Sequence, residues 1–87
     1  MIKMSNLFRG FDHEVFIPVP SGPNQLHNLR NLAAPHFHWL YETWNFREGQ
    51  DYHWVMSLSG PRGMGNEFCF KDPNKALMFK LARGGDV

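Results

Sequence analysis

The apolar pattern changes period once, and that change dictates the class of fold. Within residues 36–46, Phe37, Leu40, Tyr41 and Trp44 recur at i, i+3, i+4 and i+7, the spacing of one helical face. Gly49 stops that helix. From Tyr52 the spacing becomes two: Tyr52, Trp54, Met56 and Leu58 alternate with His53, Val55 and Ser57, as in a strand with one apolar face. Residues 59–66 hold three glycines and Pro61 and read as a loop. Residues 67–71 resume the alternation, with Phe68 and Phe70 on one side and Cys69 on the other. The two strands therefore read as an antiparallel hairpin.

Weaker signals complete the order. Residues 13–19 predict a strand with Val15, Ile17 and Val19 on one face. Pro18 and Pro20 lack amide donors, so it is an edge strand or ends there. After the turn at 21–23, Leu26, Leu29 and Ala33 suggest a helix over about 24–33, which Pro35 ends or kinks. Asp72 suits an N-cap, Pro73 the first helical position and Gly84 the residue after the last turn. Within that last helix, Leu77, Met78, Leu81 and Ala82 form the expected apolar stripe, with Ala76 and Phe79 beside it. The order β-α-(α)-β-β-α predicts an α+β fold, a small antiparallel sheet with helices packed on one face. At 87 residues the chain allows one domain, with an arm over 1–12, a folded core over 13–83 and a tail over 84–87. The expected core is Val15, Ile17, Leu29, Leu40, Trp54, Met56, Phe68, Phe70, Leu77, Met78 and Leu81.

Composition excludes several functions. Nine basic and eight acidic side chains leave a charge of +1, so no global field draws in nucleic acid or an anionic membrane. No apolar run approaches the roughly 18 residues of a membrane span. One cysteine, Cys69, excludes an internal disulfide framework and a thiolate metal cage. The first nine residues lack the apolar run and cleavage site of a secretory signal, which points to a reducing cytoplasm. Eight Phe, three Trp and two Tyr are a large ring content for so small an interior. Some of these rings are expected at the surface, as part of a binding face.

Trp39-Leu40, Asp51-Tyr52 before an aromatic strand, Phe68-Cys69-Phe70-Lys71-Asp72, and Ala76, Met78, Phe79, Lys80 and Leu81 form a recognisable series. Over about 39–81 it resembles small accessory proteins of tailed, particularly marine, bacteriophages. Those often end in an aromatic strand, an acidic turn and a helix carrying A-x-x-F-K-L. The resemblance implies a phage accessory protein, and such proteins usually act by binding rather than by chemistry.

Reactive constellations are weak by comparison. His36 and His38 form H-x-H, with His13, His27 and His53 elsewhere. Zinc needs three or four converging ligands, and two rings two residues apart on a helix diverge by about 200°. Cys69 with a histidine and Asp51 or Asp72 has the residue types of a nucleophilic site. It lies mid-strand, however, without a helix N-terminus or glycine elbow to activate it. Glu42 and Glu48 sit among exposed charges. The 60–65 loop lacks the G-K-[ST] ending of a phosphate loop and joins two strands. Arg30, Arg47, Arg62, Lys71 and Arg83 next to rings would suit single-stranded bases, but the near-zero charge argues against nucleic acid.

The sequence therefore points to a non-enzymatic protein without cofactor or metal. It is expected to bind a host or phage protein, with self-association possible, and to inhibit or redirect a host complex in the host cytoplasm. The alternatives are a virion decoration or connector subunit and a single-stranded nucleic-acid binder. The partner face is expected to combine residues 37–44 with the 60–65 loop. Its anchors would be Trp39, Tyr41, Trp44, Arg62 and Met64, because rings and Arg dominate binding hot spots.

Overall fold

The computed structural model describes residues 10–20, 22–58 and 63–84. Six elements follow in order: β1 (His13–Pro18), α1 (Gln25–Asn31), α2 (Ala34–Trp44), β2 (Tyr52–Ser57), β3 (Gly65–Phe70) and α3 (Pro73–Arg83). The three strands form one antiparallel sheet in the order β1-β3-β2. The fold is α+β with the expected order of elements. β3 is the central strand, and all six of its residues are buried.

Register divides the sheet into two faces. Val15, Phe68 and Trp54 lie in one row; His13, Phe70 and Tyr52 lie in the next, and Ile17, Asn66 and Met56 in the one on the other side. Residues two apart along a strand share a face, so these nine point to the same side. That side carries the core: Val15, Tyr52, Phe68 and Phe70 pack with Leu40 of α2 and with Ala76 and Phe79 of α3. α1 joins them through Asn66, whose Nδ2 donates to the Leu29 carbonyl at 2.8 Å while its Oδ1 accepts from Trp54 Nε1 at 2.9 Å. The opposite face carries Phe16, Glu67 and Cys69, all buried. Phe16 lies against Gly65: a Cβ there would run into the Phe16 ring and come within 2.7 Å of the Ile17 carbonyl.

Several boundaries differ from expectation for local reasons. β3 begins at Gly65, because Gly65 and Asn66 already pair with both neighbouring strands. Pro35 sits in the first turn of α2 rather than ending α1, a position where its missing N–H is no loss. α2 ends on Asn45 in the left-handed conformation (φ 57°), whose N–H reaches back to Tyr41 O. α3 starts as expected, with Asp72 Oδ1 accepting from Asn74 N at 2.8 Å, and stops at Gly84 (φ 77°).

The largest correction concerns which side of α3 faces inward. Ala76 and Phe79 are its buried residues, whereas Leu77, Met78 and Leu81, expected in the core, are 51%, 50% and 73% exposed. Phe79 touches Phe68, Phe70, His36 and Trp39 at centroid distances of 4.9–5.8 Å. One ring thus fills a hollow among four others, and the inward-facing Ala76 lets the helix approach the sheet. Met56 is also exposed, because it lies in the last row on the edge strand β2. Ile17 and Trp54 are partly buried against the core.

Candidate functional site

The densest chemistry lies where the second half of α2 meets α3. Trp39 stacks edge-on against Trp44 at 5.0 Å and against Phe79 at 5.8 Å, and Trp44 continues to Phe46 at 5.3 Å. Two cations sit on these rings, with Lys75 Nζ 4.5 Å from the Trp44 centroid and the Arg83 guanidinium 6.0 Å from that of Trp39. Such contacts desolvate the cation partly and fix its side chain. Lys75 also borders an open cleft of about 110 Å³, lined with it by Phe46, Asp51, Phe70, Lys71 and Asp72.

Beneath this cluster, His36 is buried and accepts a 2.9 Å hydrogen bond at Nδ1 from Arg83 Nε. Its ring packs edge-on against Phe68 and Phe79. Burial, and secondarily the Arg83 charge, lower its pKa from 6.5 to about 4. His36 is therefore neutral at pH 7, as an acceptor for an arginine must be. His38, two residues on, points outward and pairs with Glu42. Among the described residues no group of three or more His, Cys, Asp or Glu side chains could hold a metal ion.

Cys69 lies between Glu14 and His53 in register, a row of residue types that invites a nucleophilic reading. Its environment works against one. Burial, then Glu14 and Glu67, raise the thiol pKa to about 12, so it stays protonated at neutral pH. The two carboxylates considered with it have structural tasks: Asp72 caps α3, and Asp51 Oδ2 accepts from Arg47 N at 2.9 Å.

Among the described residues, the expected anchors are not gathered on one surface. Trp39 and Trp44 meet and are half-buried. Tyr41 is exposed on the opposite flank of α2, about 200° around the helix from Trp39. Met64 is half-buried at the start of β3, where its carbonyl accepts from Val19 N at 3.1 Å. That end of the sheet is five residues along β3 from Phe70, which lines the cleft with Phe46. Arg62 and the rest of 59–62 lie outside the described residues.

The exposed surface that the sequence reading missed is the outer side of α3. Leu77, Met78 and Leu81 lie within about 100° of arc on a helix of 3.6 residues per turn. The signal was present in the sequence, because a helix with apolar groups on two sides needs two partners. Among the described residues no helix is long and apolar enough to cross a membrane. Comparison of the chain with protein-family models, curated proteins and solved structures finds no match.

Proposed function

We propose that this chain is a non-enzymatic protein-binding module that docks on a host protein and inhibits or redirects it. The observation that carries this reading is the outward stripe of Leu77, Met78 and Leu81 on a helix whose other side is already packed. Contiguous apolar side chains left in water on a rigid element mark contact surfaces. In this reading Trp39 and Trp44 support the site, since their rings brace α3 from within through Phe79 and Lys75. The assignment to a tailed phage, and with it the host cytoplasm as the place of action, rests on the resemblance over 39–81.

The test is capture from host lysate by the tagged protein and by Leu77→Glu with Leu81→Glu. Support is one stoichiometric protein held by the wild type and lost by the variant, with unchanged circular dichroism. Equal capture by both refutes the α3 surface. Many copies per purified particle, by mass spectrometry, would replace the host-directed reading with a virion subunit.

A further inference from the structure

We infer that the outer face of α3 takes an acidic amphipathic helix, one whose apolar stripe is bordered by Asp or Glu. The inference rests on the protein-binding reading above and adds the chemistry of the partner. Its basis is the charge pattern around the stripe. Going round the helix, Lys80 lies about 60° beyond Leu77 and Lys75 about 60° beyond Met78, so a lysine borders the apolar arc on each side. No acidic residue occurs from Pro73 to Arg83. Lys75 is held over Trp44, with its Nζ 4.5 Å from the ring centroid, which sets the position of that cation. Asp51 and Asp72 line the cleft beside Lys75 and offset part of its charge, whereas Lys80 borders the stripe on the other side with no carboxylate on the helix.

This pattern separates the possible occupants. A second copy pairing α3 with α3 would set lysine against lysine on both flanks, and like charges facing each other oppose association. An anionic bilayer is recognised by clusters of about 4–8 Lys or Arg. Here α3 carries only Lys75, Lys80 and Arg83, and Arg83 is turned onto His36 and Trp39. A facing helix satisfies both features. Its apolar ridge packs along Leu77, Leu81 and Met78, and its acidic borders meet Lys75 and Lys80.

Two synthetic helical peptides test this by fluorescence anisotropy. Both carry leucines at i, i+3, i+4 and i+7; one has flanking glutamates and the other has lysines in their place. The acidic peptide is expected to bind the full-length protein at least about tenfold more tightly, with the gap closing as salt rises. Lys75→Glu with Lys80→Glu should reverse the preference. Equal affinity, or preference for the basic peptide, overturns the inference. So does binding to phosphatidylcholine–phosphatidylglycerol vesicles without binding of the acidic peptide, or a dimer in sedimentation that Leu81→Glu abolishes. If neither peptide binds while Leu77→Glu with Leu81→Glu still loses its lysate partner, only the acidic-helix inference falls. If that variant also captures as the wild type does, the protein-binding reading falls with it.

Discussion

Three positions show how single residues set this structure. His36 is buried as a neutral acceptor for Arg83, with a folded pKa of about 4 against 6.5 for an ordinary histidine. A depressed histidine pKa means that the unfolded chain takes up the proton first. This contribution is fully present above pH 6.5 and is lost as the pH falls towards 4. At about 1.4 kcal/mol per pH unit the loss is on the order of 3 kcal/mol. Urea unfolding at pH 7 and pH 4.5 should show it, and His36→Gln should flatten the difference. Asn66 reads as loop in the sequence, yet it is buried and joins α1 to β2 through two hydrogen bonds. Asn66→Ala leaves a buried carbonyl and an indole N–H without this partner and should cost about 1–3 kcal/mol in chemical denaturation. Gly65→Ala meets the Phe16 ring and the Ile17 carbonyl. Because backbone is one of the two obstacles, the loss expected from a thermal melt is about 1–3 kcal/mol.

At the scale of elements, the change of period was legible and the orientation of α3 was not. Alternation in 52–58 and 67–71 identified the hairpin, and the proline-bounded strand at 13–18 is an edge of the sheet. Asp72, Pro73 and Gly84 marked both ends of α3, because caps are local chemistry. The inward side of α3 depends on tertiary shape. Leu77, Met78 and Leu81 make the stronger stripe by hydrophobicity, but the space over β3 is lined by Phe68, Phe70, His36 and Trp39, and Phe79 fills it. The anchors went the same way. Ring content suggested surface aromatics, and Tyr41 is one, but each Trp is at least half-packed and the exposed apolar surface on α3 is aliphatic. Phe79→Ala should therefore cost about 3–5 kcal/mol, whereas Leu81→Gln should change stability by no more than about 0.5 kcal/mol. Melting both variants side by side checks this; a larger loss for Leu81→Gln would reverse the assignment of faces.

In the whole molecule the proposed function gives separate tasks to the two sides of one helix. The inner side closes an aromatic core against the sheet, and the outer side would meet the partner. Trp39→Ala with Trp44→Ala should then lose capture and thermal stability together, because these rings brace α3. The most direct test of this division is hydroxyl-radical footprinting of the protein with and without its captured partner. Leu77, Met78 and Leu81 should be protected in the complex, with Tyr41 labelled as in the free protein. Protection of Tyr41 with undiminished labelling of Met78 and Leu81 would contradict that division.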